Sequence, residues 1–436
     1  MNTQFPSFAE AFRVWLRIGC LSFGGPAGQI ALMHREVVDE RRWISDTRFL
    51  HALNFCTLLP GPEAMQLATY LGWLMHGVRG GVAAGLLFIL PGALVMLVLS
   101  LIYALLGNVP VVAAVFLGLK SAVLILVVEA LLRVAKRALS GPVAWATAGA
   151  AFLALAAFGL PFPVVVLAAG LLGFALPGQF KPAGHGKAGQ VSDSLLDRVL
   201  RDNPGHIAGL TAAARRAGLI ALALWVWPVA LLAPAGGVYF DVGWFFSKMS
   251  VVTFGGAYAV LAYVAQEAVE HYRWLSAPEM LAGLGLAETT PGPLILVLQF
   301  VGFLAGYREG GGVLGGVAAS ILTLWVTFLP CFAWIFLGAP YVERLHDAAR
   351  LKGALAGVTA AVVGVIANLA LWFTMRVLFA DIVPGPLGFD VPVLSSIQPL
   401  SLALALLAGW CIFQWRLGVL ATLGVAAAAG ILTLIL

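Results

Sequence analysis

Charge is scarce in this sequence: Asp, Glu, Lys and Arg make up 10% of its 436 residues, while 61% are hydrophobic. A soluble domain carries about 25% and 45–50% respectively, so the two or three soluble domains that the length alone would allow are excluded. Cysteine is equally sparse. Cys20, Cys56, Cys331 and Cys411 stand far apart, without a C-x-x-C or any zinc or haem spacing, and read as small apolar fillers. No polar stretch is long enough for a domain; the longest runs over residues 178–206. A basic patch is missing too, because the net charge of +5 is spread over connecting segments. That excludes a nucleic-acid partner and leaves the lipid bilayer as the surrounding medium. The N-terminus shows no charged-then-apolar leader, so no cleavage is expected. Glycine, by contrast, is abundant at 50 residues, as in transmembrane helices. The expected fold is an all-α polytopic membrane protein.

The chain repeats itself. Ser22-Phe23-Gly24-Gly25 returns as Thr253-Phe254-Gly255-Gly256, Arg42-Trp43-Ile44-Ser45 as Arg273-Trp274-Leu275-Ser276, and Pro60-Gly61-Pro62 as Pro291-Gly292-Pro293, all at one offset of 231 residues (Phe23 to Phe254). Three rare motifs in one ungapped register mark a duplication. Beyond Gly85 and Gly316 the register slips by a few residues. The halves are assigned to residues 1–140 and 243–375, with a linker region at 141–242 that holds a polar loop at 177–216, and a tail at 376–436. Ahead of the first motif, Phe5, Phe8, Phe12 and Leu16 share a helical face opposite Glu10, Arg13 and Arg17, the pattern of a short interfacial helix.

Nine apolar runs read as membrane spans, each near the roughly 17–25 residues a bilayer requires. They are Val82–Leu106, Val109–Ala135, Pro142–Phe158, Pro161–Leu176, Ala212–Leu232, Val313–Leu337, Leu351–Phe373, Leu400–Trp415 and Leu417–Leu436. Two further segments in each half, around the Phe-Gly-Gly and Pro-Gly-Pro motifs, are apolar but carry helix breakers. Lys and Arg counts then orient the halves. Residues 35–48 have four against one (Arg273) in their counterpart, 107–120 have one against three in 343–352, and 133–137 have three against one (Arg376). Each pair reverses its bias, as inverted-topology repeats require. The 177–216 loop, with six, is placed in the cytoplasm. Drawn as re-entrant hairpins, the broken segments satisfy every loop; drawn as crossings, they give thirteen membrane segments.

A Pro-Gly-Pro inside an apolar stretch breaks helix hydrogen bonds, and the freed backbone groups must be buried in protein or line a wet cavity. A helix that restarts there presents free N–H groups and the positive end of its dipole, a site for an anion. Ser22, Gly24, Gly25, Pro60, Gly61, Pro62, Thr253, Gly255, Gly256, Thr290, Pro291, Gly292 and Pro293 are the candidate anion-site residues. The glycine pairs are expected to allow close backbone approach. Ser22, Thr253, Thr289 and Thr290 are expected to add hydroxyl donors, and Gln66, Asn54 and Gln299 amide donors. Packing kinks are the plain alternative. Glu63 directly follows the first Pro-Gly-Pro and Glu288 precedes the second by three residues. Either carboxylate could compensate a helix N-terminus or act as a gate. Lys120 and Lys352 are candidate counter-charges, and Glu129 pairs with Lys120 or Arg133. The histidines (His34, His51, His76, His185, His206, His271, His346) lie mostly in loops or at span ends with no H-E-x-x-H, which disfavours an intramembrane enzyme. No cofactor or metal is expected.

Ser22-Phe-Gly-Gly-Pro26, Arg41-Arg42-Trp43 and especially Leu58-Leu-Pro-Gly-Pro-Glu-Ala-Met-Gln66, with Thr253-Phe-Gly-Gly256 and Ala287-Glu-Thr-Thr-Pro-Gly-Pro293, resemble the chromate ion transporter family, in its long-chain form with two fused halves. The resemblance covers both halves and assigns nothing in the linker or tail. It implies a secondary transporter in the cytoplasmic membrane that exports chromate and confers chromate resistance. Sulfate is the chemical look-alike and the alternative substrate. Glu63, Glu288 and Lys120 would gate or couple. The expected partners are the oxyanion and the bilayer, with a homodimer left open.

Overall fold

The computed structural model describes residues 5–180, 194–203, 205–254, 257–341, 349–385 and 390–435. Its helices are α1 (Phe8–Leu21), α2 (Gly25–His34), α3 (Asp46–Cys56), α4 (Glu63–Leu106), α5 (Pro110–Ala138), α6 (Pro142–Ala156), α7 (Phe162–Ala175), α8 (Leu195–Asp202), α9 (His206–Leu232), α10 (Gly237–Val252), α11 (Ala257–Gln266), α12 (Ala277–Thr289), α13 (Val297–Glu309), α14 (Val313–Gly338), α15 (Ala349–Leu378), α16 (Pro399–Phe413) and α17 (Val419–Leu432). The chain is an all-α polytopic membrane protein with one small departure. Strands β1 (Ile382–Pro384) and β2 (Asp390–Pro392) pair antiparallel after α15, where the apolar runs stop.

Helices α4, α5, α9, α14 and α15 are long and apolar enough to cross a membrane. Helix α4 is two arms joined at His76 and Gly77, whose backbone leaves the helical region. Four of the nine expected spans come out short. Helices α6, α7, α16 and α17 have 14 or 15 residues, about 21–23 Å at 1.5 Å per residue, against an apolar core of about 30 Å. Helix α1 keeps the expected stripe of Phe8, Phe12 and Leu16 exposed, but it buries a third face, Ala11, Val14, Trp15 and Ile18. Among the cysteines, Cys20 is exposed and the other three are buried.

Positions related by the 231-residue offset share single backbone features. In both halves a π-helical turn, Arg35–Glu40 and Glu267–His271, follows the broken segment. Trp43 N–H then donates to Val37 at 2.8 Å, and Trp274 N–H to Ala268 at 2.9 Å. Arg42 (φ 51°) and Arg273 (φ 55°) both adopt the left-handed conformation, which non-glycine residues adopt only where the surroundings demand it.

The chain forms two compact units. The first comprises residues 1–97, 184–256 and 290–347, the second residues 98–183, 257–289 and 348–436. The first unit holds all four broken motifs. In it, His76 Nε2 lies 2.8 Å from the Pro6 carbonyl oxygen, His206 Nε2 lies 3.0 Å from that of Leu74, and Trp43 lines one small cavity with Leu74, Met75 and Leu196. The start of α1, the 41–45 turn and the end of the first arm of α4 therefore share one end of the unit. The pair α1–α2, and α3 with the first arm of α4, each return to the end they left. In the second half Tyr239 O–H donates to the Gly310 carbonyl at 3.2 Å, so the start of α10 meets the end of α13 in the same way. The 181–193 part of the polar loop lies outside the described residues. Residues 195–196 are fastened to Arg42 and Trp43 by backbone bonds of 3.0 Å, and Arg48 pairs with Asp197 at 2.9 Å.

In the second unit, the two hairpins that follow the long helices are exchanged. Helices α6 and α7 pack on α15, while α16 and α17 pack on α5. Both contacts are backbone-close: a Cβ at Gly364 would stand 2.1 Å from the Ala148 oxygen, and one at Gly118 2.0 Å from that of Ala426. Small residues at such crossings let helices associate by van der Waals packing in lipid.

Candidate functional site

The broken motifs are joined crosswise. Gly61 N–H donates to the Thr253 carbonyl at 2.9 Å, and Gly292 N–H donates to the Ser22 carbonyl at 2.8 Å. These two bonds map onto each other under the 231-residue offset. Residue i of one half meets j of the other, and j meets i, the hallmark of a two-fold arrangement. Each Pro-Gly-Pro also packs on the proline-bearing helix of the other half. A Cβ at Gly61 would stand 2.7 Å from the Cys331 Sγ, next to Pro330 of α14, and one at Gly292 would stand 3.2 Å from the Phe88 oxygen of α4, near Pro91. Both glycines have positive φ, 124° and 90°, so a side chain there is strained as well as crowded.

Two helices restart at the first-half breaks. Helix α2 follows Gly24 (φ 84°) and Gly25 (φ 72°), with Pro26 in its first turn and no side-chain cap. Helix α4 starts at Glu63 directly after Pro62, and Gln66 N–H is the first to close back, onto the Pro62 carbonyl at 3.1 Å. The N–H groups of Gly25 and Ala27, and of Glu63, Ala64 and Met65, precede the first intrahelical bonds. Around the second break the chain instead forms a 3-10 turn, Leu294–Leu296.

Several expected roles change. Gly24 and Gly25 do not serve close approach, since a Cβ at either would meet nothing within 4 Å; they are glycine because φ is positive. The hydroxyls are not free donors. Ser22 Oγ donates to Ile18 O at 2.6 Å, Thr253 Oγ1 to Met249 O at 2.5 Å and Thr289 Oγ1 to Leu286 O at 2.8 Å, satisfying carbonyls at the ends of their own helices. Gln66 Nε2 donates to Pro60 O at 2.8 Å and Gln299 Nε2 to Ala93 O at 3.0 Å. Gly255 and Gly256 lie outside the described residues. Glu288 accepts a hydrogen bond from Tyr258 O–H, with Arg133 and Glu129 within electrostatic reach. Glu129 pairs with Arg133 rather than Lys120. Glu288, Tyr258 and Lys120 belong to the second unit, whereas Ser22, Pro60 to Gln66, Thr253 and Thr290 to Pro293 belong to the first.

One residue was missed in the sequence. Gln29 of α2 is buried and its Nε2 donates to the Gly292 carbonyl at 2.6 Å. A lone amide in an apolar stretch, five residues after Gly24, was the available signal. A cavity of about 440 Å³ lies elsewhere, in the second unit, between Gln266, Glu270, Asn368, Trp372, Arg376 and Asp390; no motif residue lines it.

Comparison with known proteins agrees with this geometry. The chain matches the chromate transporter family over residues 9–174 and 240–434, stretches that include both exchanged hairpins. It is 36% identical over 365 residues to the chromate transport protein of Pseudomonas aeruginosa, covering 83% of this chain and 79% of that one. To the chromate transport protein of Cupriavidus metallidurans it is 27% identical over 367 residues, covering 83% and 81%. No solved structure matches. On the strength of paired motifs, crosswise bonding and a match across both halves, the chain belongs to the chromate transporter family.

Proposed function

We propose that this protein is a secondary transporter that exports chromate across the cytoplasmic membrane and so confers chromate resistance. The observation that carries the reading is the crosswise pairing of the breaks, which leaves two helix N-termini, at Gly24 and at Glu63, beside bonds that join the halves. Discontinuous helices meeting where inverted repeats join are the transporter solution for holding an ion inside a membrane. With the Ser22, Thr253 and Thr289 hydroxyls committed to their own helices, backbone N–H groups of α2 and α4 are the donors for the oxyanion. Pro60, Gly61 and Pro62 hold the first break open, while Pro291, Gly292 and Pro293 brace the start of α2 from the other half. The charge bias of the loops makes the halves antiparallel, with the 35–48 and 177–216 segments cytoplasmic. Their direct contact through Arg48 and Asp197 supports that common side.

Energetics favour the outward direction. One charge crossing 100 mV is worth about 2.3 kcal/mol, so a dianion leaving an inside-negative cell gains about 4.6 kcal/mol. Backbone donors read four oxygens rather than the central atom, which makes sulfate the competitor to test. Everted membrane vesicles should take up labelled chromate, faster with an imposed potential and against excess sulfate. Strong inhibition by sulfate, with labelled sulfate itself accumulated, would reassign the substrate. Uptake of neither ion would remove the oxyanion reading.

A further inference from the structure

The first-half break holds buried oxygens with nothing to accept from. Gln66 is fully buried. One amide hydrogen serves the Pro60 carbonyl and the other the Cys331 Sγ, so only Oε1 remains, and it has no partner among the described residues. On α14, one turn before Cys331, Thr327 is 3% exposed and its Oγ1 is likewise unpartnered among the described residues. Cys331 Sγ bonds back to the Thr327 carbonyl at 3.4 Å, which ties that turn to the Gln66 side chain. Glu63 lies three residues before Gln66, on the same side of α4, and has no hydrogen-bond or ion-pair partner among the described residues. Helix α3 ends at Cys56, so the negative end of its dipole meets the same break.

A buried oxygen without a partner is costly, and the Gln66 Oε1, which only accepts, cannot be satisfied by an oxyanion, which only accepts too; the Thr327 hydroxyl can join it as a second lone-pair donor to the same guest. What fits them is a hard cation. Neutral amide and hydroxyl oxygens, one carboxylate and the carbonyl end of a half-helix form an all-oxygen donor set. Unwound helices in transporters use such groups to hold a sodium ion. We propose that the first-half break is a monovalent cation site, with Gln66 Oε1, Thr327 Oγ1 and the Glu63 carboxylate as oxygen ligands and sodium as the ion it takes. The anion then uses the N–H end of α4 and the cation the side-chain oxygens and the carbonyl end of α3. An inward-moving sodium would return the carrier after each oxyanion leaves. That use rests on the transporter reading above; occupancy of the site does not.

The test is the thermal stability of the purified full-length protein in detergent. NaCl is titrated at fixed pH, with ionic strength held constant by choline chloride. The melting midpoint is expected to rise saturably with sodium. Gln66→Leu and Thr327→Val are each expected to raise the half-saturating sodium concentration at least tenfold. Should Gln66→Leu fail to fold, Thr327→Val, which keeps the side-chain shape, carries the same expectation. A midpoint indifferent to sodium, an unchanged sodium response in the folded variants, or a response to pH alone would each overturn the site. Sodium stabilisation without chromate uptake in vesicles would keep the cation site and remove the substrate assignment instead.

Discussion

Around Pro60-Gly61-Pro62, residues 57–60, 62 and 63 are half-buried, whereas Thr290 and every residue from 291 to 300 are buried. The two breaks share a motif and a crosswise backbone bond, so the difference lies in what surrounds them. At the first, a helix restarts at once and its leading carboxylate, Glu63, is unpartnered among the described residues. At the second, a 3-10 turn intervenes and Gln29 holds the Gly292 carbonyl. A shared backbone frame thus has two different surroundings: the first break stays half-buried, and the second is a packed joint.

That contrast can be broken most severely at Gly92. A Cβ there would stand 2.0 Å from the Pro291 oxygen, a backbone atom with no freedom to retreat. Gly92→Leu is expected to cost more than about 4 kcal/mol and to abolish accumulation in the membrane, read by immunoblot. Normal abundance with normal transport would show that the second break is not packed shut.

A milder pair separates the two breaks directly. Alanine at a positive-φ site costs about 1–3 kcal/mol in either break. At Gly61 the neighbours are the Cys331 and Gln66 side chains, and at Gly292 the nearest atom is the Phe88 carbonyl oxygen. Gly61→Ala should therefore keep most of its abundance and lose transport at least tenfold, and Gly292→Ala should lose both. Equal phenotypes would erase the distinction. The carboxylates divide the same way. Tyr258→Phe or Glu288→Gln is expected to lower stability by about 1–3 kcal/mol by removing a buried hydrogen bond, whereas Glu63→Gln should shift the melting midpoint little and change transport.

The smallest effect is at the Arg42–Ser45 turn, which has the 194–202 segment docked on it. Burial works to raise the Asp197 carboxyl, but hydrogen bonds from Ser194, Ser45 and Arg48 outweigh it and hold its pKa below the ordinary value. A carboxyl depressed in the folded state adds stability above its unfolded pKa, about 3.9, and that stability is lost as pH falls through the folded value. Protection of the 195–202 amides, taken relative to the intrinsic exchange rate at each pH, should fall on acidification below about pH 4, and Asp197→Asn should remove that dependence at the cost of lower protection at neutral pH. Unchanged exchange in the variant would show that Asp197 does not hold the segment.

Much of this was legible in the residues. The 231-residue offset located all four breaks, because prolines and glycine pairs are rare inside apolar stretches. Other features carry no such mark. The exchanged hairpins need only small residues at crossings such as Gly118 and Gly364, and many sequences supply those, so residues 142–175 and 399–432 show no shared motif. The bonds from Gly61 to Thr253 and from Gly292 to Ser22 run between backbone atoms about 190 and 270 residues apart in the chain, where no side chain announces them. Gln66 reads equally as donor or acceptor from its type, and only the positions of Pro60 and Cys331 decide that its nitrogen is spent and its oxygen is not. The bonds of the Ser22 and Thr253 hydroxyls are hidden for the same reason, since a helix end one turn away claims them.

The measurement that tests the account most directly is the sidedness of two equivalent turns. Single cysteines at Asp46 and Ser276, in a background without the four native cysteines, would be labelled in intact cells with a membrane-impermeant reagent, before and after permeabilisation. The account predicts that Ser276→Cys labels from outside and Asp46→Cys only after permeabilisation. Labelling of both from the same side would contradict the inverted arrangement on which the crosswise site depends.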